Sequence, residues 1–197
     1  MTQVKADTSD LRRLYEEQLK TLPDQAKRAF HTTIRETERH ARMVVAKAVA
    51  GEYAITAADV KNPKNASLSA RNTEGGVALV YRGHTLTLRH FKYTPKTRQS
   101  KGGRQTRAQV KKPGYKSLGP YAFIGGTGAL TPGKVASIPF MRLGKKRLPI
   151  KPVHGPSIPQ MVGNEEKVAP AVMEDLSEYM TNRFEHHMAW YGKGGGK

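Results

Sequence analysis

The 197-residue sequence predicts an α+β fold, in which an antiparallel β-sheet or meander is flanked by N-terminal and C-terminal amphipathic helices and carries a long basic loop or hairpin arm. Apolar residues recur with the helical period of 3.6 over residues 11–50 and 172–191, whereas the period is 2 within residues 67–91. Helices that precede and follow a block of strands are typical of α+β folds, and we expect a single domain over residues 1–197.

Two helices are predicted in the first fifty residues. The first carries an apolar stripe formed by Leu11, Leu14, Tyr15, Leu19 and Leu22. Pro23 ends this helix and can occupy the first turn of the next one, which is expected over residues 24–50 and should end at Gly51. One further helical turn is predicted after Thr56, because Thr56 and Asp59 have the spacing of a capping box.

The middle of the chain predicts strands. Residues 67–71, 77–81 and 85–91 have strand-like composition and are separated by glycine-containing turns, which indicates an antiparallel meander. Shorter strands are predicted at residues 121–124 and 135–142.

Two further segments of the middle of the chain do not have the pattern of regular strands. Residues 93–120 are rich in Gly, Lys, Arg and Gln and predict a loop or long hairpin arm, with a short strand at residues 108–111. Residues 147–159 carry four prolines, which indicates an extended edge or surface track rather than a central strand.

A closing amphipathic helix is predicted, with Gly192 as its stop. Its apolar stripe consists of Val172, Leu176, Tyr179, Met180, Phe184, His187, Met188 and Tyr191. The chain then divides into a helical part (1–62), a basic β-rich part (63–163), the C-terminal helix (164–191) and a flexible tail (192–197).

Charge is distributed very unevenly along the sequence. The formal net charge is +18, yet the segments before residue 61 and after residue 163 are nearly balanced, and Glu74 is the one acid between them. Such a block attracts polyanions or acidic protein surfaces. The candidate polyanion-binding or partner-binding residues are Lys96, Arg98, Lys101, Arg104, Arg107, Lys111, Lys112 and Lys116.

The sequence predicts no catalytic, cofactor-binding or metal-binding residues, and we expect the protein not to be an enzyme. It has no Cys, and its adjacent His186 and His187 point in different directions on a helix without a second ligand at four-residue spacing. Residues 125–128 lack the Lys of a phosphate-binding loop, and residues 155–159 depart from a nucleophile elbow. No apolar run has the length of a membrane span, so we expect no membrane partner.

The proline-rich segment resembles a known family. Residues 147–161, with the sequence RLPIKPVHGPSIPQM, are similar to the segment (R/L)-P-I-x-x-x-x-G-P-S-(I/V)-x-(Q)-M near the end of the prophage minor tail protein Z family. The chain length, the N-terminal helical pair with its Ala- and Arg-rich run at residues 41–48, the basic β region and the closing helix agree with this resemblance.

This resemblance implies a structural virion protein of long-tailed phages, which completes the head-proximal end of the tail and contributes to head-tail joining and DNA passage. It implies no catalytic residue and no cofactor. The implied partners are tail and neck proteins, such as the tail tube, a terminator or a head-tail connector. Analogy with other neck components suggests a homo-oligomeric ring, and we expect a hexamer in the virion tail that assembles in the host cytoplasm.

Two interpretations of the proline-rich segment remain open. The fixed φ angles of proline suit a rigid docking strip, because they reduce the entropy lost on binding, but they also suit an edge strand that resists aggregation. The candidate docking residues are Pro149, Pro152, His154, Gly155, Pro156 and Ser157. As an alternative function, the basic middle predicts a nucleic-acid-binding protein that contacts the DNA backbone without sequence preference.

Overall fold

The computed structural model describes residues 2–5, 9–73, 76–97, 105–126, 137–146 and 148–193. Within these residues the protein combines helices with small antiparallel sheets, which confirms the predicted α+β class. The helices are α1 (Ser9–Thr21), α2 (Pro23–Glu52), α3 (Ala57–Lys61), α4 (Ile158–Val162) and α5 (Val168–Gly192). None of them is both long enough and apolar enough to cross a bilayer.

The N-terminal helices form largely where the sequence predicts them. Pro23 stands at the start of α2, and the hydroxyl of Thr56 accepts a hydrogen bond from the Asp59 N–H (3.1 Å), so it caps α3 as expected. Gly51 does not end α2 as predicted, since the helix continues to Glu52 and the Tyr53 N–H bonds to the Val49 carbonyl (2.8 Å). Leu22 lies between the two helices and is 40% exposed, so it leaves the predicted stripe.

The strands are short and form four small sheets. They are β1 (Thr2–Lys5), β2 (Ala66–Thr73), β3 (Gly76–Gly83), β4 (Thr85–Thr87), β5 (Lys92–Thr94), β6 (Arg107–Gln109), β7 (Lys116–Ser117), β8 (Ala122–Gly126), β9 (Ser137–Arg142), β10 (Ile150–Pro152) and β11 (His154–Ser157). The sheet orders are β1-β3-β2, β10-β9-β8, β11-β4 and β5-β6-β7, and every pairing is antiparallel.

The predicted meander is correct only for its first hairpin, β2–β3. The second neighbour of β3 is the N-terminal strand β1, which the sequence analysis did not predict, and β4 instead pairs with β11. The predicted strand over residues 85–91 is interrupted by a 3-10 turn at Leu88–His90. Leu86, Leu88 and Phe91 are all buried, and a regular strand would place Phe91 on the opposite face, so the turn rotates its ring into the core.

The predicted loop or hairpin arm is partly built into the body of the protein. Strands β5, β6 and β7 join into a sheet, with Tyr93 and Ala108 buried on its inner side. The sheet is tied to the end of α2, because the Ala54 N–H bonds to the Val110 carbonyl (2.9 Å) and the Lys112 N–H bonds to the Glu52 carbonyl (2.8 Å). The short strand predicted at residues 108–111 is observed at Arg107–Gln109.

The proline-rich segment forms edges, as predicted, up to Ser157. Strand β10 is the edge of its sheet, and β11 belongs to a two-stranded pair. The expected extended conformation is wrong for Ile158 and Pro159, which begin α4. Ser157 ends the track because its hydroxyl accepts the Gln160 N–H (3.3 Å), while the Gln160 side chain accepts the Ser157 N–H (2.9 Å).

Among the described elements, α2 and α5 share the most extensive contact. The buried residues Val45 and Val49 of α2 and Val172 and Leu176 of α5 belong to the central core, which also receives residues from the sheets. A second cluster joins α1, α2 and α5 around Phe184 and contains Leu11, Ala29, Phe30 and Met180. The closing helix therefore buries five of the eight residues of its predicted stripe, while Tyr179, Met188 and Tyr191 are half-buried.

Polar pairs link α2 and α5 at the border of this core. Glu36 accepts one hydrogen bond from the Nε atom of Arg183 (2.7 Å) and pairs with the Nε2 atom of the buried His187 (3.1 Å). His40 pairs with Asp175 (2.8 Å) and stacks on the Tyr179 ring at 3.8 Å. The hydrogen bond from Arg183, assisted by His187, holds the pKa of Glu36 below its ordinary value of 4.5, although desolvation opposes the shift.

We predict that Glu36→Gln lowers the free energy of unfolding by about 1 kcal/mol at pH 7, because it removes a charge-assisted hydrogen bond between α2 and α5. A lowered carboxyl pKa stabilises the fold above its unfolded value, and this contribution is lost as the pH falls through the folded value. The difference between wild type and variant should therefore shrink below about pH 4.5. Urea unfolding followed by circular dichroism measures both quantities.

Glu38→Gln is the matched control, since Glu38 pairs with Arg42 at four-residue spacing within α2 and its loss should cost only about 0.3–0.5 kcal/mol. Equal losses for the two variants at pH 7 would contradict the assigned role of Glu36.

Candidate functional site

Five of the eight predicted polyanion-binding residues lie in the described part of the chain, and all five are exposed. They are Lys96, Arg107, Lys111, Lys112 and Lys116. The other three, Arg98, Lys101 and Arg104, lie outside the described residues. The described members surround the sheet β5-β6-β7 and the adjoining end of α2, rather than extending along one separate arm.

The register of the sheet separates these cations onto different faces. Arg107 lies opposite Thr94 and Ser117 on the outer face, whereas Lys116 lies opposite the buried Ala108. Arg107 also donates to the Gln105 side chain (2.7 Å). The Lys96 ammonium lies 3.7 Å from the centroid of the Tyr93 ring, a cation–π contact that leaves the charge exposed.

Lys111 and Lys112 lie where this sheet meets the C-terminal end of α2. The Lys112 ammonium donates to the Ala50 carbonyl (2.6 Å), close to the negative end of the helix dipole. The Lys111 ammonium lies 6.0 Å from the Tyr53 ring, and Lys111 forms a backbone bridge with the same residue. Lys112 therefore fastens the sheet to the helix in addition to contributing charge.

The cations of the basic middle lack acidic partners. Across the described part of residues 61–163, no Lys or Arg forms an ion pair with a carboxylate, whereas some of the helical cations do, as in Arg12–Glu16, Arg42–Glu38 and Arg183–Glu36. The sheet region therefore presents an uncompensated positive field, which favours a negatively charged neighbour.

The candidate docking residues fall into two groups. Pro149 and His154 are exposed and Pro152 is half-buried, so their side chains are accessible from solvent. Ser157 is buried and its hydroxyl caps α4 by accepting the Gln160 N–H, and Gly155 packs against the buried Phe91 ring. The structure thus gives Ser157 and Gly155 roles within the fold, while Pro156 is half-buried beside them.

An exposed apolar patch lies at the end of the sheet β8-β9-β10, and the sequence analysis missed it. We call it the tip patch and define it as Tyr121, Leu143, Leu148 and Ile150, whose exposed fractions are 45%, 57%, 65% and 39%. Strand pairing places their backbones next to one another: the Arg142 N–H bonds to the Tyr121 carbonyl (3.2 Å), Arg142 lies opposite Ile150, and the Leu143 N–H bonds to the carbonyl of Pro149 (3.2 Å), which follows Leu148. One sequence feature could have indicated this patch: the apolar Leu148 directly follows three cations at residues 145–147.

The described residues also contain a small cavity of about 80 Å³ between α2, α3 and β2, lined in part by Arg42, Val60 and Tyr81. The Tyr81 hydroxyl is buried and has no hydrogen-bond partner among the described residues, and burial raises the pKa of this phenol, so it stays protonated at neutral pH. Within the same residues, no three His, Asp or Glu side chains gather as they would around a metal ion.

We predict that Gly155→Ala destabilises the protein by about 1–3 kcal/mol, because a Cβ atom there would lie 2.7 Å from the Phe91 ring, which is buried and has little room to move. Gly144→Ala, where a Cβ atom meets nothing within 4 Å, serves as the control and should leave the melting temperature nearly unchanged. Thermal unfolding of both variants provides the measurement. Equal melting temperatures would remove the structural role assigned to Gly155 and favour a role in docking.

Comparison of the chain with protein-family models, with curated proteins and with solved structures yielded no match in any of the three searches.

Proposed function

We propose that this protein is a structural virion protein of a phage tail, which completes the head-proximal end of the tail and contributes to head-tail joining and DNA passage. The observation that carries the proposal is the sheet region, whose exposed Lys and Arg residues lack acidic partners within the described part of the chain. In a particle whose DNA passes through a protein channel, a positively charged surface can contact the DNA, which is a polyanion, or an acidic surface of a neighbouring protein.

The resemblance of residues 147–161 to the prophage minor tail protein Z family supplies the tail as the location. In that segment Pro149 and His154 are accessible, and β10 and β11 are edge strands of small sheets. Edge strands with few free N–H groups can contact a neighbour without recruiting unrelated strands. The proposed partners are the tail tube, a terminator or a head-tail connector, and further copies in a homo-oligomeric ring with a hexamer as the expected number.

The proposed mechanism requires no catalytic residue and no cofactor. The helices and the central core hold the sheets rigidly, so that the cations around β5-β6-β7 meet the neighbouring protein or the DNA in a fixed arrangement. In the proposed role the protein joins the tail during assembly in the host cytoplasm and stays in the virion.

The tail proposal predicts that particles assembled without this protein fail at the head-proximal end of the tail. Negative-stain images of purified particles should show tails separated from filled heads, and infectivity should fall strongly. Supplying the wild-type protein in trans should restore joined particles. Normal tail ends and normal head joining in its absence would refute the proposal.

A sequence-independent nucleic-acid-binding protein is the second candidate, and the uncompensated cations of the basic middle favour it. In that case the isolated protein should bind duplex DNA of any sequence, with an affinity that falls steeply between about 50 and 200 mM salt. A Gln variant of Arg98, Lys101, Arg104 and Arg107 should lower the slope of log K against log salt by about 3–4.

The matched control for this titration replaces four exposed helical cations, Lys20, Lys27, Arg35 and Lys47, with Gln, which removes the same charge from a different surface. Equal changes in the two variants would indicate a general charge effect rather than binding by the basic segment. Weak binding by the wild-type protein at both salt concentrations would count against this second function and leave the tail proposal standing.

A further inference from the structure

The tip patch combines large apolar side chains with positive charge. Tyr121, Leu143, Leu148 and Ile150 expose between 39% and 65% of their surfaces at one end of the sheet β8-β9-β10. Lys145 and Lys146 in the connection from β9 to β10 are also exposed, and Lys151 follows Ile150 in β10. Exposed apolar residues grouped in this way are typical of surfaces that bind a partner.

The chemistry of the tip patch restricts its partner. The cations of the patch favour a negatively charged surface, while burial of Leu143 and Leu148 needs apolar groups on the partner. A DNA backbone supplies the charge but leaves the leucines in water. The partner must therefore offer carboxylates around an apolar centre.

On the helical side of the same protein, carboxylates lie around one apolar side chain. An open groove of about 520 Å³ runs between the start of α1 and the outer side of α5, and it is lined by the acids Asp10, Glu174 and Glu178, by Met173, and by the polar Ser177, Thr181 and Asn182. Glu174 and Glu178 are exposed on one face of α5 at four-residue spacing. Among the described residues, neither of these two carboxylates forms an ion pair with a Lys or Arg.

We infer that the tip patch of one copy docks onto this helical groove of a second copy. Leu143 and Leu148 would lie on the thioether of Met173, and Lys145 and Lys146 would face Glu174 and Glu178. The inference rests on the proposed role in a multi-subunit tail and names the partner of one exposed surface. Because the patch and the groove are different surfaces, the contact is heterologous and repeats from copy to copy, which produces a closed ring or a filament.

Sedimentation velocity of the purified wild-type protein tests the inference. At about 50 mM salt the average mass should rise with concentration, from the micromolar to the submillimolar range, and at about 0.5 M salt the association should weaken because the charge contacts are screened. A wild-type protein that remains monomeric at every concentration overturns the inference. If that monomer sediments with phosphatidylglycerol vesicles, the tip patch binds an anionic membrane instead.

Two variants and their mixture give the sharper test. The tip variant carries Leu143→Ser and Leu148→Ser, and the groove variant carries Glu174→Lys and Glu178→Lys. Each variant alone should be monomeric, since one half of every contact is missing. An equimolar mixture should form a heterodimer and nothing larger, because the intact groove of one variant can bind the intact tip of the other.

The substituted side chains are all exposed, and the circular dichroism spectrum of each variant verifies its fold. Matched controls change surfaces outside the inferred contact: Leu22→Ser with Met43→Ser for the apolar residues, and Glu165→Lys with Glu166→Lys for the acids. These controls should associate like the wild type. Wild-type association by the tip variant, or a mixture that remains monomeric, contradicts the inference. Self-association is measured without particles, so its failure leaves the tail proposal to be decided by head joining alone.

Discussion

The packing of α5 against α2 is the constraint on which the other parts of the structure depend. These two helices come from opposite ends of the chain, and their contact buries Val45, Val49, Val172 and Leu176 together with residues of the sheets. Sheets of two or three short strands bury little apolar surface by themselves, and each of these small sheets contributes residues to the core that the helix pair begins.

The helical parts contain both acids and cations, whereas the sheet region contains almost only cations, and this difference decides where charge is paired. Some of the described carboxylates of the helical parts form pairs that connect α2 to α5, such as Glu36 with Arg183 and Asp175 with His40. The sheets have cations without such partners, so their positive field extends into solvent. The polar pairs at the border of the core are thus satisfied within the chain, while the unpaired charge of the sheets lies where a neighbour can reach it.

The candidate site shows how tertiary contacts change the meaning of a sequence pattern. The basic segment predicted a binding surface, and its described members are indeed exposed, yet Lys112 also binds the Ala50 carbonyl and holds a sheet against α2. In the proline-rich segment, Ser157 caps α4, and Gly155 is needed where the backbone lies against the Phe91 ring. The tip patch was missed because Tyr121 and Ile150, which are distant in sequence, come to lie on either side of Arg142 only through strand pairing.

The sequence by itself determined the long helices, the β2–β3 hairpin, the edge character of the proline-rich segment and the concentration of positive charge, because periodicity, proline and composition act locally. Tertiary structure decided the pairing of β1 with β3 and of β4 with β11, and the break in the strand at Leu88–His90. Strand pairing and core burial depend on residues far apart in the chain, and local patterns do not contain that information.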